Sequence, residues 1–234
     1  MRRALAFLTP LGGAAEPDLR TFSWFPAAGA LIGAVLGGVW WGAERLWPPA
    51  VAAAIVVAAD LALTGLLHVD GLVDAADGLL PQLPRERRLA IMVEPTVGAY
   101  GVAVVGAVLL LRFAALASME PDVLLIAGIW CGSRTAMAVA ARAVPYARAE
   151  GGLASALLGG DWRPVGLYGL IAAVSLGAFA DGRRTELAVV AGLLASAGVV
   201  ALARRRLGGF TGDVLGAAGI VGETVALLVA AARW

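Results

Sequence analysis

Residues 50–80 read AVAAAIVVAADLALTGLLHVDGLVDAADGLL, an apolar run that ends in three aspartates, Asp70, Asp74 and Asp77. At about 100° of rotation per residue, the spacing i, i+4, i+7 gathers the three carboxylates into about a 60° sector of one helical face. Three like charges on one face repel one another, and carboxylates beside a membrane are costly unless they face water or hold a partner. A divalent cation held by carboxylate oxygens meets both conditions. The all-oxygen character of the cluster favours Mg²⁺ over Zn²⁺, so Asp70, Asp74 and Asp77 are expected metal ligands. Gly71 and Gly78 remove side chains beside the aspartates, which admits either a phosphate ligand or a neighbouring helix.

Outward from this stretch the chain reads as an integral membrane protein. Of 234 residues, 60% are hydrophobic and 31 are glycine, and the mean hydropathy of +0.85 lies outside the range of soluble domains. Seven runs approach the roughly 20 apolar residues that a span needs: 24–43, 50–69, 97–117, 122–144, 164–180, 186–203 and 214–232. The fold class expected is therefore all-α, a polytopic bundle of about seven transmembrane helices forming a single domain over 1–234. The first eight residues are too short for a secretory signal, so the chain is expected to be retained whole. Trp24, Trp40, Trp41 and Trp47 bracket the first run as an interfacial belt would. Gly29, Gly33 and Gly37 form a small-residue stripe that permits close helix packing, within one chain or in a homo-oligomer.

All 18 basic residues are arginine. Seven spans place 11 of them on the side of the N-terminus and of loops 70–96, 145–163 and 204–213, four on the other side, and Arg112, Arg134 and Arg142 within spans. The positive-inside rule then puts the N-terminus and the aspartates in the cytoplasm. The expected location is the cell membrane, multi-pass, in contact with lipid and with the active site on the cytoplasmic side. A net charge of +1 with no basic surface gives no reason to expect nucleic acid. The single Cys131, inside an apolar run, is expected to be a packed thiol.

Other residues have weaker claims to chemistry. His68, the lone histidine, is expected to be structural. Asp60 and Arg134, each in mid-span, are expected to pair with one another, and Arg112 is expected to snorkel toward the outer end of its span. Glu223 is expected to make a hydrogen bond inside the bundle. Arginines 85, 87 and 88 are expected to meet lipid phosphates. In GGFTGD, residues 208–213, Gly209, Thr211 and Gly212 form a turn at a helix start whose backbone N–H groups could hold an anion.

The motifs together resemble the cobalamin synthase family, the adenosylcobinamide-GDP ribazoletransferases. The likeness runs through FLTPL at 7–11, FPAAGALIG at 25–33, LLHVDGLVDAADGLL, IMVEPTVGAYG at 91–101, Ser133-Arg134, PYARAEGGL at 145–153 and GGFTGDVLGA at 208–217. The resemblance implies a Mg²⁺-dependent membrane enzyme for the last assembly step of cobalamin. It would take adenosylcobinamide-GDP and α-ribazole, or its 5′-phosphate, and release GMP. The resemblance further implies that Asp213 is a fourth carboxylate, a ligand or the base, with Asp77 beside it in catalysis. Arg148, Glu150 and Glu94 would contact substrate. Where the family often has an Asp-Ser-Arg-like sequence, this chain has Glu94-Pro95-Thr96. The acid is kept and the arginine is missing, so a phosphate contact there would fall to Arg87 or Arg88.

Two other readings share some of these features. A CDP-alcohol phosphotransferase would use a similar acidic motif, but this chain has Leu72-Val73-Asp74 where that family has Ala-Arg. A cation-coupled transporter would hold its carboxylates near mid-membrane at broken helices, whereas these are expected at the end of a span.

Overall fold

The computed structural model describes residues 1–13, 20–148, 160–180 and 182–233. Ten α-helices run in chain order: α1 Arg2–Leu8, α2 Phe25–Ala43, α3 Pro49–Leu63, α4 Leu67–Leu79, α5 Arg85–Ile91, α6 Ala99–Ala117, α7 Val123–Ala143, α8 Arg163–Phe179, α9 Gly182–Leu207 and α10 Gly212–Ala231. Six of the seven apolar runs each form one helix, and the second is divided between two. Among the described residues, five segments are long and apolar enough to cross a membrane: Phe22–Ala43, Ala99–Ala117, Val123–Ala143, Gly182–Leu207 and Gly212–Ala231. The chain is thus an all-helical, multi-pass membrane protein. With 17 residues, α8 is shorter than these five.

The second run departs from its expected form. It stops at Leu63, and α4 leaves at 88° to α3. Gly65 and Leu66 both take left-handed backbone, φ 58° and φ 62°, which ends one helix and starts another. Hydropathy is continuous across this pair, so apolarity alone reads one span. Joined across the bend, α3 and α4 would make a sixth crossing. We read α4 as lying outside the spanning set: its 13 residues rise about 20 Å, short of a bilayer core of about 30 Å, and its aspartate face needs water.

Central position falls to α7 and α10, whose apolar windows are 78% and 72% buried, against 28% for α6 and for α9. The stripe of α2 is used within the chain. Cβ atoms added to Gly29, Gly33 and Gly37 would press on Trp130, Ala127 and Val123 of α7. The backbones touch along that seam, where dispersion contacts substitute for the hydrophobic effect that lipid cannot supply.

The charges in mid-span form one network. Arg112 donates to Asp60 at 2.7 Å and also to Glu223, while Arg134 donates to Glu223 and, at 2.8 Å, to Ser133. Ser133 donates to Glu223 at 2.9 Å. Two cations face two anions, and all four residues are buried. Asp60 is thus partnered by Arg112 and not by Arg134, and Arg112 does not snorkel. The helix azimuths put Arg112 of α6 between α3 and α10, and a paired interior position costs less than any unpaired one. Cys131 is buried, as expected.

Candidate active site

The site is built where α4 crosses α10. A Cβ on Gly71 would stand 3.0 Å from Asp213 Cα, and one on Gly216 would stand 3.2 Å from His68 Cα. The glycines beside the aspartates therefore admit protein: Gly71 faces α10, and Gly78 faces Met92 and the backbone of Arg88. This close approach sets Asp213, in the first turn of α10, among the carboxylates of α4.

Asp70 is exposed and Asp74 half-buried. The Asp74 carboxyl is pushed up to about 6, first by burial, then by the charges of Asp213, Asp70 and Asp77, with Arg148 opposing. Three other carboxylates thus crowd the charge of Asp74, an arrangement that suits a hard cation. Among the described residues no three of His, Cys, Asp and Glu converge tightly enough to enclose an ion by themselves. Mg²⁺ is commonly held by one or two carboxylates with the remaining positions taken by water and substrate phosphate, so an open set of this kind fits it.

Asp77 is placed differently from its two neighbours. It is 7% exposed, and its two oxygens accept the backbone N–H groups of Gly98 at 2.7 Å and Gly101 at 2.9 Å. These are the N-cap and first-turn donors of α6, so Asp77 caps that helix from α4 and sits at its positive end. The GAYG stretch, 98–101, has glycine at both points because a Cβ at either would strike this carboxylate.

Asp213 Oδ2 accepts from Arg148 at 3.1 Å and from the Thr211 hydroxyl at 3.1 Å. Thr211 also caps α10 by accepting from the Val214 N–H at 3.3 Å. The glycine turn is tied to the preceding loop: Phe210 N–H donates to Pro145 O at 2.9 Å, Ala147 N–H donates to Phe210 O at 2.8 Å, and the Tyr146 and Phe210 rings meet edge to face. Gly209 is pressed against Pro145, and Gly212 is exposed at the site. The turn thus carries Arg148 to Asp213.

The loop arginines go to helix ends. Arg88 is buried and donates to the carbonyls of Leu83, Gly78 and Leu79, the last two at the C-terminus of α4. Arg206 also donates to Leu79, and Arg85 binds Leu207 O and Ala147 O, each at 2.7 Å. Cations are favoured at these carbonyl-rich ends. Arg85 and Arg88 are thereby committed within the chain, and Arg87 pairs with Glu94 at 2.8 Å on the surface. Glu150 lies outside the described residues.

A pocket of about 200 Å³ opens at this crossing. Asp70, Arg148 and Asp213 give it charge, Phe7, Met137 and Leu215 give it apolar surface, and His68 and Tyr146 are among its other lining residues. Sequence reasoning did not single out Phe7, Met137 or Tyr146 for the site. Tyr146 and Phe7 lie inside quoted motifs, PYARAEGGL and FLTPL, and that position was their only signal.

Residues 1–231 match the family described as Cobalamin-5-phosphate synthase. The chain belongs to that family. A protein of Chlorobium phaeovibrioides is 33% identical over 234 residues, covering 97% of this chain and 94% of its own. One from Leptothrix cholodnii is 38% identical over 87% of this chain and 81% of its own, and one from Pseudomonas paraeruginosa is 38% identical over 92% and 90%. All three are named adenosylcobinamide-GDP ribazoletransferase. No solved structure matches the chain. Within this cobalamin-5-phosphate synthase family member, the crossing of α4 and α10 brings two stretches far apart in sequence, HVDGLVDAADGLL and GGFTGD, to one pocket.

Proposed function

We propose that this protein is an adenosylcobinamide-GDP ribazoletransferase that works at the α4–α10 crossing. The observation that carries the reading is that Asp70 and Asp213, from motifs far apart in sequence, line one pocket beside Arg148, with Asp74 close enough to feel the charges of all three. Family membership gives the reaction its identity, and the site offers the groups it needs.

The acceptor hydroxyl of α-ribazole, or of its 5′-phosphate, attacks the phosphorus joined to cobinamide. The bond from that phosphorus to the bridging oxygen breaks, and GMP leaves with it. Asp213 accepts the hydroxyl proton in this reading, which is supported by both of its hydrogen bonds falling on Oδ2. Arg148 orients Asp213 and offers its remaining N–H groups to a phosphate oxygen. Thr211 donates to the same Asp213 oxygen as Arg148. Asp70 and Asp74 would hold Mg²⁺, which when bound supplies neutralisation of the diphosphate and of the departing GMP. Asp77 acts through the backbone of α6, fixing the end of α4. The active site faces the cytoplasm of the cell membrane in this reading, which the arginine excess supports when all seven apolar runs are counted as crossings.

The test is GMP release by detergent-purified protein given adenosylcobinamide-GDP, α-ribazole and Mg²⁺, beside an Asp74→Asn variant. Release that needs all three additions and is lost in the variant supports the proposal. Release unaffected by chelator, or by the substitution, overturns the metal assignment. No release from folded protein overturns the reaction.

A further inference from the structure

His68 is 2% exposed, yet among the described residues neither of its ring nitrogens has a hydrogen-bond partner. A buried, unpaired imidazole is expensive, and such groups are usually satisfied by protein, water or ligand. The ring borders the α4–α10 pocket, and its backbone is clamped against Gly216, so it cannot swing out to solvent without opening the helix crossing. The floor of the pocket is buried around Met137 and Leu215, while Asp70 and Gly212 stand exposed at its mouth. A ligand that fits has an apolar, hydrogen-bonding end pointing inward and a hydroxylated or phosphorylated end among the carboxylates. About 200 Å³ is too small for a macrocycle or a dinucleotide.

We propose that this pocket is the acceptor subsite: the flat heteroaromatic base of the nucleoside lies between Phe7 and Met137, and a His68 ring N–H donates to a ring nitrogen of that base. The inference rests on the ribazoletransferase reading and adds to it which substrate enters first-hand contact with α4. Aromatic and thioether side chains pack well on such a base. The sugar then points to the mouth, with its hydroxyl beside Asp213. The bulky donor stays outside, against the exposed face of Asp70. His68 is a binding residue in this arrangement and moves no proton.

Because the chain has one histidine, untagged protein labelled with ¹⁵N-histidine carries a single imidazole reporter. In detergent micelles, α-ribazole alone should shift that signal saturably, with a midpoint near its KM, and GMP alone should not. In turnover assays, His68→Leu should raise the acceptor KM about three- to tenfold, the loss of one hydrogen bond, with the donor KM unchanged. His68→Gln should recover part of the effect. If His68→Leu does not fold, the titration of the unaltered protein decides. The inference is overturned if enzyme that releases GMP normally shows no imidazole shift at saturating acceptor, or if the donor KM rises with the acceptor KM. Unaltered, folded protein that releases no GMP would overturn the parent reading as well, a result distinct from both.

Discussion

Replacing the three aspartates of α4 one at a time should separate a helix cap from a catalytic pair. Asp77 accepts two backbone N–H groups at 2.7 and 2.9 Å, in a position 7% exposed to solvent. Hydrogen bonds to a charged group are each worth about 1.5–3 kcal/mol. Asp77→Ala removes both and leaves the start of α6 uncapped, at a cost of about 3–5 kcal/mol. Asp77→Asn keeps one acceptor oxygen and turns an NH₂ toward the other donor, so about half that loss is expected. Asp70→Asn and Asp74→Asn remove charge from a crowded carboxylate cluster, and neither side chain caps a helix. Their effect on metal-free stability should lie within about 1 kcal/mol, on the stabilising side for Asp74, because the repulsion relieved is partly screened by solvent. Chemical unfolding in mixed micelles with chelator present, read by tryptophan fluorescence, measures all four variants. GMP release measured in parallel should be lost at Asp70 and Asp74 with stability intact, and lost at Asp77 together with stability. If Asp77→Ala unfolds no more easily than Asp74→Asn, the capping argument is wrong.

Three further outcomes follow from the same geometry. In chelator, the raised Asp74 carboxyl gives a contribution to stability that is fully present below the ordinary value of 3.8 and is lost as pH rises through about 6. Unfolding midpoints at pH 5 and pH 7 should therefore differ in that direction, and Asp74→Asn should abolish the difference; an unchanged slope in the variant refutes the assignment. Glu223→Gln should cost about 3–5 kcal/mol, because Arg112 and Arg134 are left buried with only Asp60 to balance them. Replacing Asp60, Arg112, Arg134 and Glu223 together by Leu or Met should recover most of that loss, and a quadruple variant as unstable as the single one would show that packing, not unpaired charge, sets the cost. Gly71→Ala places a methyl 3.0 Å from Asp213 Cα while adding about 1 kcal/mol of helix propensity. Stability should change little and kcat should fall at least tenfold as Asp213 is displaced; an unaltered kcat means the crossing does not set the catalytic spacing.

Much of this was legible in the sequence because it depends on local pattern. The length of each apolar run gave the helices, and the i, i+4, i+7 spacing gave the carboxylate face of α4. Partner choice was not legible. Whether Arg112 or Arg134 meets Asp60 depends on the rotation of α3, α6, α7 and α10 about their axes, which hydropathy does not encode. The end of α3 had a signal in Thr64-Gly65, a helix stop followed by Leu66, but the apolar run continuing through Leu67 masked it. The arginines of α5 were read as lipid contacts because they are charged and near an interface. In the folded chain, Arg88 and Arg206 instead find the free carbonyls that end α4.

That last arrangement bears on how the site keeps its shape. The thirteen-residue α4 cannot anchor itself across a bilayer, yet it must hold two carboxylates against α10. Each end is fixed by a different device. At its N-terminus the left-handed Gly65–Leu66 pair sets its direction against α3, and at its C-terminus Arg88 and Arg206 bind its last carbonyls while Asp77 ties it to α6. Between these ties, Gly71 sets the spacing to Asp213. A triplet with one periodicity thus divides into two settings: Asp77 is buried against α6, while Asp70 is exposed and Asp74 half-buried.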